Sequence, residues 1–280
     1  MTEILPGLAA LHGRFDAFLV DQFGVLLDGT GAYPSAPAAL AALAATGARV
    51  LLLSNSGRRA QPNIDRLLSF GFGRGSFETV LSSGEAAHGM LRARIGGALR
   101  PGARVLVVSR VGDGSETEGL DLVPTDDPDA AELVLISGSR GDELGLDAYA
   151  DLLRGPASRG VPCLCTNPDM VMLTPAGRSF GPARIAQLYE GFGGAVEMIG
   201  KPHRPVYEIA HRMLGAPDPA RVLCIGDSPA HDLKGAATLG FRGALVRTGI
   251  HDGIDDAARL ALCAAEGVRP DFILPRFADG

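Results

Sequence analysis

The sequence predicts an α/β fold: a doubly wound, mainly parallel sheet with a second α/β domain inserted into it. Short runs of Val, Ile and Leu alternate with Ala-rich stretches of helical period, as in residues 15–20 and then 36–47. This alternation is typical of parallel strands joined by crossover helices. The strands are almost continuously apolar, as in a sheet covered on both faces. A chain of 280 residues, 46% hydrophobic, can bury one large core or two smaller ones.

The predicted strands and helices follow one another in two blocks. In the first block, strands alternate with helices in the order 15–20, 36–47, 48–54, 61–71, 78–83 and 84–96. The same alternation returns near the carboxyl terminus at 196–200, 205–215, 221–227, 231–240 and 243–249. Strands separated by helical stretches of this length indicate βαβ units.

The segment between the two blocks has a different composition. Its apolar runs flank the acidic, Gly-rich stretch 110–132, which is too long and too polar for a tight crossover. We therefore predict that residues 84–180 form an inserted α/β domain and that 1–83 and 181–280 form the core. Positions 163 and 165, two of four scattered cysteines, are expected to be small buried hydrophobes in a reducing compartment.

Composition and charge argue against two classes of partner. The net charge of −6 and the absence of a long basic run disfavour a nucleic-acid partner. The longest apolar runs are far shorter than the roughly 20 residues that span a bilayer. The first residues are neither basic nor followed by an apolar signal core. We expect a cytoplasmic protein that contacts neither nucleic acid nor membrane.

Polar side chains follow the predicted core strands, where open α/β sheets bind ligands. They comprise Asp21; Ser54, Asn55 and Ser56; Lys201, which follows Gly200; and Asp227, with Asp232 one turn further on. Carboxylates suit Mg²⁺, whereas a lysine and a serine hydroxyl suit phosphate oxygens. An aspartate such as Asp21 can also attack phosphorus to form an acyl phosphate.

Each of these residues also has a structural explanation when it is considered alone. A strand-end aspartate commonly caps the next helix, "SNSG" is good turn sequence, and Lys201 before Pro202 could be a solvated lysine. Their occurrence together, in order and at the ends of one predicted sheet, favours a site that holds a metal ion and a phosphate group.

The same stretches resemble the motifs of the haloacid dehalogenase superfamily of phosphohydrolases. "DQFGVLLDG" is similar to its first motif, "LLLSNSGR" to the second, "IGKPHRPVYEIA" to the third and "CIGDSPAHDLKGA" to the fourth. The segment between the second and third motifs is similar to the α/β cap of class IIA, which includes sugar and nucleotide phosphatases. The resemblance implies a small phosphorylated metabolite as substrate and a homodimer formed through the cap.

By resemblance, Asp21 is the nucleophile, and the Phe23 carbonyl, Asp227 and Asp232 help it to hold Mg²⁺ or its water shell. Lys201 neutralises charge on the nucleophile and the phosphoryl group. Phosphate and substrate contacts are expected from Ser54, Asn55, Ser56, Arg58, Lys201 and Asn167. Arg59 beside Arg58, and Arg140 in the inserted segment, are additional candidates for anion contacts.

The first motif departs from the family pattern at Phe23. The family's phosphatases have an aspartate there that protonates the leaving alcohol, and such help is worth about 10²- to 10⁴-fold in rate. Three functions stay open: a slow or selective phosphatase, a Mg²⁺-dependent binding protein for a phosphorylated ligand, and a metal-free haloacid dehalogenase. The acids at 227 and 232 argue against the third. Asp28 is a candidate substitute acid, while His203 and His231 are expected at exposed helix starts.

Overall fold

The computed structural model describes residues 2–110, 114–174 and 177–280. The chain divides into two compact units. Unit 1 contains Met1–Ser54, Ala60–Leu81 and Lys201–Gly280, and unit 2 contains Asn55–Arg59 and Ser82–Gly200. None of the helices in the described part of the chain combines the length and apolarity that a bilayer crossing requires.

Fourteen strands are described, many of them short. They are β1 Glu3–Ile4, β2 Ala17–Asp21, β3 Arg49–Ser54, β4 Val80–Ser82, β5 Ala103–Val108, β6 Leu122–Thr125, β7 Leu133–Ile136, β8 Cys163–Cys165, β9 Val171–Thr174, β10 Gly177–Phe180, β11 Val196–Met198, β12 Val222–Gly226, β13 Arg242–Val246 and β14 Phe272–Leu274.

In the described ranges, eight α-helices lie between these strands. They are α1 Ala36–Ala45, α2 Ala60–Ser69, α3 Ser83–Arg94, α4 Leu146–Ser158, α5 Pro182–Gly191, α6 Arg204–Met213, α7 Lys234–Ala237 and α8 Asp256–Ala265. A π-helical turn, Pro229–Leu233, runs directly into α7.

Unit 1 is built on a seven-stranded sheet in the order β1-β14-β13-β12-β2-β3-β4. Strand β2 is parallel to both of its neighbours, β12 and β3. Its first four residues are buried, and Phe18 and Val20 pack in the same core as Leu40 of α1 and Leu52 of β3. This burial explains the continuous apolar run, because both faces of the strand are covered.

The order of the strands reverses direction at β2. From β2 the chain proceeds outward through β3 and β4, and later returns to place β12 on the opposite side of β2. Such a switch point leaves a crevice outside the carboxyl ends of the two strands that flank it. Residues that follow β2, β3 and β12 therefore gather at one edge of the sheet.

Unit 2 contains a five-stranded sheet in the order β11-β8-β7-β5-β6, together with the antiparallel hairpin β9–β10. Strands β5, β7 and β8 pair in parallel. A core under this sheet joins Val134 and Ile136 to Leu153 of α4 and Tyr189 of α5. The predicted class, mainly parallel sheets with helices, is thus confirmed.

The observed boundaries of unit 2 are wider than the predicted insertion at 84–180. Helix α5 and strand β11 fall within 82–200, whereas the sequence predicts that 181–280 belong to the core. The run 196–200 is not a core strand, because β11 pairs with β8 of unit 2. Tyr189 of α5 is fully buried and donates a hydrogen bond to the Val161 carbonyl at 2.6 Å. The sequence could not show this, because an apolar run does not indicate which sheet its strand joins.

Candidate active site

Lys201 of unit 1 lies between two carboxylates. Its Nζ is 2.7 Å from Oδ1 of Asp21 and 2.7 Å from Oδ1 of Asp232. The lysine side chain is only 4% exposed. A buried charge is costly unless it is paired, and the two carboxylates provide that pairing. Burial lowers the pKa of Lys201, but the two carboxylates outweigh that effect and raise it. The ammonium is therefore a permanent positive charge beside Asp21.

A third carboxylate completes the cluster. One carboxylate oxygen each of Asp21, Asp227 and Asp232 lies within 4.8 Å of the others. Burial raises the pKa of Asp21 to about 8, with Lys201 opposing the rise. Burial, followed by repulsion from Asp232, raises the pKa of Asp227 to about 6. When all three acids are ionised, they and the Lys201 ammonium carry a formal charge of −2. A divalent cation with a preference for oxygen ligands would balance that charge and so favour the ionised forms of Asp21 and Asp227.

Two glycines form a close-fitting wall around Asp227. Gly24 has φ +80° and Gly249 has φ +85°, and a Cβ on either would lie 2.0 Å from Oδ2 of Asp227. The same oxygen accepts a hydrogen bond from the Ile250 amide at 2.8 Å. Thr248 Oγ1 donates to the Gly24 carbonyl at 2.6 Å and so joins the two loops. Only glycine supplies both the space and the left-handed backbone conformation.

Asp232 is held by the π-helical turn that follows β12. Its Oδ2 accepts a hydrogen bond from the Ser228 amide at 3.1 Å, and its own amide donates to the Ser228 carbonyl at 2.9 Å. A Cβ on Gly226 would lie 2.0 Å from Cγ of Asp232. This glycine at the end of β12 therefore lets the aspartate fold back over the strand.

Strand pairing brings Ser54 to the level of Asp21. Asp21 at the end of β2 pairs with Leu53 of β3, and the buried Ser54 is the next residue. Oδ1 of Asp21 also accepts a hydrogen bond from the Gln22 amide at 2.7 Å, which fixes the carboxylate at the strand end. The predicted role of Ser54 in phosphate binding stays a prediction.

Phe23 presents a ring, and no acid, two residues after Asp21. Phe23 is 46% exposed, and Cζ of Arg66 lies 4.9 Å from the centroid of its ring. Nη2 of Arg66 donates to Oε1 of Gln22 at 2.9 Å and to Oδ1 of Asn63 at 3.1 Å. The guanidinium thus supports the ring by a cation–π contact. The Phe23 carbonyl as a metal ligand stays a prediction.

Asp28, the candidate substitute acid, has a structural role in a turn, and the two histidines expected at exposed helix starts are less exposed than predicted. Oδ1 of Asp28 accepts hydrogen bonds from the Thr30 hydroxyl and amide, both at 2.7 Å. These bonds lower the pKa of Asp28, which makes it a poor proton donor. His203 and His231 are half-buried rather than fully exposed. Burial, with a smaller contribution from His231, lowers the pKa of His203.

Four predicted substrate residues belong to unit 2. Nδ2 of Asn55 donates to Oδ1 of Asp169 at 3.1 Å, and Oδ1 of Asn167 accepts from the Asp169 amide at 2.9 Å. Ser56 Oγ accepts from the Arg58 amide at 3.3 Å. Asp169 therefore orders Asn55 and Asn167 together. The part that these four residues take in substrate binding stays a prediction.

Two further arginines of unit 2 are paired within that unit. Arg59 makes two hydrogen bonds to the Glu85 carboxylate, at 2.6 and 3.1 Å, and a third contact to Nδ1 of His88 at 2.9 Å. Arg140 bonds Glu143 through Nε at 2.9 Å. These contacts give both arginines a structural role in unit 2, so neither needs an anionic substrate as a partner.

The loop after β13 was missed by the sequence reasoning. Thr248, Gly249 and Ile250 follow this strand and enclose Asp227, yet only strands that end in an ionisable or amide side chain were considered. The signal was present, because the rule that ligands gather outside the carboxyl ends of strands applies to β13 as well. Backbone amides and glycines form sites as effectively as charged side chains do.

Family models match two stretches of the chain. Residues 18–123 match the model of the haloacid dehalogenase-like hydrolase family, and residues 198–280 match a HAD-hydrolase-like model. Chronophin of Bos taurus is 30% identical over 95% of this chain and 92% of its own length. Glycerol-3-phosphate phosphatase of Homo sapiens is 28% identical over 96% of this chain and 91% of its own length.

Solved structures show the same fold. A haloacid dehalogenase-like hydrolase of Brucella suis superposes with a TM-score of 0.81 at 26% identity, over 98% of this chain and all (100%) of the other. A glycerol phosphate phosphatase of Mycobacterium tuberculosis in complex with magnesium superposes with a TM-score of 0.74 at 24% identity, over 96% of this chain and 77% of the other. Both similarities extend over nearly the whole of this chain.

Proposed function

Because the chain belongs to the haloacid dehalogenase-like hydrolases and has phosphatases as relatives, we propose that it hydrolyses phosphate esters of a small metabolite through a phosphoaspartate at Asp21, with Mg²⁺ as cofactor. The observation that carries the proposal is the buried cluster of Asp21, Lys201, Asp227 and Asp232. A nucleophilic carboxylate, a fixed ammonium and a negatively charged cation site together provide the parts that phosphoryl transfer requires.

In the first half-reaction, an Asp21 oxygen forms a bond to phosphorus while the bond from phosphorus to the leaving-group oxygen breaks. Lys201, 2.7 Å from Oδ1 of Asp21, holds the carboxylate in place and offsets negative charge on the transferring group. Ser54, at the same sheet edge, is suited to donate a hydrogen bond from its hydroxyl to a phosphate oxygen. In the second half-reaction, a water oxygen forms a bond to phosphorus while the bond from phosphorus to the Asp21 oxygen breaks. The proton lost by the water passes to the departing phosphate or to solvent, and the Asp21 carboxylate is restored.

The donor set fits Mg²⁺, which is usually bound by one or two carboxylates together with water and phosphate oxygens. Asp21, Asp227 and the Phe23 carbonyl would hold the ion, and Asp232 would orient its water shell. When bound, Mg²⁺ neutralises charge on the phosphoryl oxygens. The magnesium complex of the mycobacterial phosphatase, which shares this fold, supports the assignment.

Phe23 restricts the substrates that can react at a useful rate. No carboxyl group stands at this position to protonate a leaving alkoxide, and such protonation is worth about 10²- to 10⁴-fold. We infer a preference for leaving groups that depart as stable anions. The same observation favours a second candidate function, Mg²⁺-dependent binding of a phosphorylated ligand without turnover. Metal-free dehalogenation is disfavoured, because it has no use for Asp227 and Asp232.

A screen of phosphorylated metabolites and aryl phosphates with Mg²⁺ tests the proposal. We expect at least one substrate, and we expect Asp21→Asn to abolish its hydrolysis. Asp28→Asn is the matched control, because Asp28 is an exposed turn residue of the same loop and its loss of charge should leave turnover intact. Equal activity of Asp21→Asn and the parent protein would contradict the mechanism. Mg²⁺-dependent binding of a phosphorylated ligand without hydrolysis would favour the second function.

A further inference from the structure

Tyr207 is a buried residue of α6 whose hydroxyl reaches the turn that carries Asp232. It is 1% exposed, and its Oη donates to the His231 carbonyl at 3.1 Å and to the Asp232 carbonyl at 3.3 Å. A phenol has a single proton, so the two carbonyls share one donor. A buried hydroxyl is costly unless it is hydrogen-bonded. These two carbonyls are therefore the partners that make burial of the Tyr207 hydroxyl tolerable.

Gly235 of α7 makes room for the Tyr207 hydroxyl. A Cβ on this glycine would lie 2.0 Å from Cε2 and 2.4 Å from Oη of Tyr207. The φ of Gly235 is not in the left-handed region, so the backbone conformation alone does not require glycine there. Glycine weakens a helix relative to alanine, and the space for the tyrosine gives its presence in α7 a structural reason. The ring and the helix are thus fitted to each other.

The turn that Tyr207 contacts is π-helical and is only weakly closed by its own backbone. In Pro229–Leu233, the Leu233 amide donates to the Ser228 carbonyl, five residues back, at 3.4 Å. This distance exceeds the usual range of about 2.7 to 3.2 Å. A change to α-helical geometry would rotate the residues of the turn about the helix axis, because the two bond patterns enclose different numbers of residues. A hydrogen bond from outside the turn therefore matters for its shape.

The side chain of Asp232 has little freedom to follow a shift of this turn. Its Oδ1 is 2.7 Å from Nζ of Lys201, and its Oδ2 accepts a hydrogen bond from the Ser228 amide at 3.1 Å. A Cβ on Gly226 would lie 2.0 Å from Cγ of Asp232, so the carboxylate also lies close against β12. A displaced turn would separate the carboxylate from Lys201 or from the other two acids of the cluster.

We propose that Tyr207 is a positioning residue for the metal site: its hydroxyl holds the π-helical turn in place and so sets the position of the Asp232 carboxylate. The inference rests on the proposed function, because it takes the acid cluster as the Mg²⁺ site, and it extends that function to a residue of α6. Tyr207 acts through Asp232 and is not itself catalytic. Loss of its hydroxyl should weaken Mg²⁺ binding and leave the chemical step intact once the metal is bound.

Tyr207→Phe removes the hydroxyl and keeps the ring, and Tyr189→Phe is the matched control. Tyr189 is a fully buried tyrosine of unit 2 whose hydroxyl also donates to a backbone carbonyl, that of Val161 at 2.6 Å. Each variant loses one buried hydrogen bond, so both should have a lower Tm. Only Tyr207→Phe should raise the Kd for Mg²⁺, measured by calorimetry with the metal alone. We expect a rise of about 2- to 12-fold, the range that one hydrogen bond allows.

Unchanged Mg²⁺ affinity in Tyr207→Phe would overturn the inference. Equal weakening in Tyr189→Phe would overturn it as well, because the effect would then follow general stability. The Mg²⁺ dependence of hydrolysis gives a second measurement: Tyr207→Phe should need more Mg²⁺ for half-maximal rate and should approach the parent kcat at saturation. A lower kcat that excess Mg²⁺ does not restore would contradict the positioning role.

The same measurements distinguish failure of this inference from failure of the proposed function. Mg²⁺ binding by the parent protein without Asp21-dependent hydrolysis of any ester would refute the proposed function, and the comparison of Mg²⁺ affinities would still decide the role of Tyr207. Hydrolysis that depends on Asp21, with equal Mg²⁺ affinities in Tyr207→Phe and the parent protein, would refute only the role of the tyrosine.

Discussion

Restoring an acid at position 23 tests why this site should be slow towards alkyl phosphates. The variant Phe23→Asp places a carboxyl group two residues after Asp21, on a loop whose backbone is fixed by hydrogen bonds from Gly24 and Leu26 to Leu27 and Gln22. A carboxylic acid there can give its proton to the departing alkoxide and take one from the attacking water. We therefore expect faster hydrolysis of alkyl phosphates.

The expected gain follows from the general-acid effect and from the neighbours of Phe23. General acid–base catalysis contributes about 10²- to 10⁴-fold, which corresponds to about 3 to 5.5 kcal/mol of activation free energy. Arg66, now 4.9 Å from the ring centroid, would lower the pKa of the new carboxyl group, so that less of it is in the protonated form that can donate. Losing the cation–π contact costs roughly 0.5–1 kcal/mol of stability. We thus expect a gain near the lower limit, about 100-fold.

Steady-state kinetics with ethyl phosphate and p-nitrophenyl phosphate provide the assay. Ethyl phosphate should gain the full factor, whereas p-nitrophenyl phosphate should gain little, because nitrophenolate leaves without a proton. Phe23→Asn is the matched control, since asparagine has nearly the same shape as aspartate and cannot transfer the proton. If Phe23→Asp bound Mg²⁺ normally and hydrolysed ethyl phosphate no faster than Phe23→Asn, the missing-proton explanation would be refuted.

Three further outcomes follow from the cluster. Lys201→Met should lower kcat by roughly 10²- to 10³-fold, as the loss of a fixed charge beside the reacting group does; an unchanged kcat would show that the ammonium does not assist the reaction. Gly249→Ala should weaken Mg²⁺ binding in titration calorimetry, because its Cβ would lie 2.0 Å from Asp227 Oδ2. Gly253→Ala is the control: this glycine has φ +81° and open space around it, so the change should destabilise the fold without weakening Mg²⁺ binding. Equal Mg²⁺ affinities of the two variants would argue against a role for the glycines around Asp227. Mg²⁺ at 100 times its Kd should stabilise the parent protein by about 2.7 kcal/mol, and Asp227→Asn should reduce this gain; identical stabilisation of both would place the ion elsewhere.

The strand-end residues illustrate what could be predicted from the sequence. Parallel strands direct their carboxyl ends to one edge, so Asp21 and Asp227, distant in the chain, were expected to meet there, and the structure brings them together with Asp232. Lys201 was expected at the end of a core strand. It reaches the cluster although the preceding strand β11 belongs to unit 2. The position of the lysine was predictable, whereas the sheet that its strand joins was not.

The features that could not be predicted depend on close contacts rather than on residue type. The wall around Asp227 is made of glycines that matter because a side chain would not fit there. In a sequence, such glycines cannot be distinguished from glycines that only form turns. Arg59 was considered for anion binding because it follows the second motif, yet Glu85 pairs with it. Such a pairing between residues far apart on the chain has no periodic signal. Asp28 is similar, because its acceptor role depends on the shape of a turn.

The most direct test of the central claim is a crystal structure determined with Mg²⁺ and beryllium fluoride, a mimic of the phosphoryl group. We predict one ion bound by Asp21 and Asp227, and a fluoride complex bonded to an Asp21 oxygen within reach of Lys201. An ion bound away from these acids, or a fluoride complex that does not touch Asp21 although the ion is present, would contradict the account.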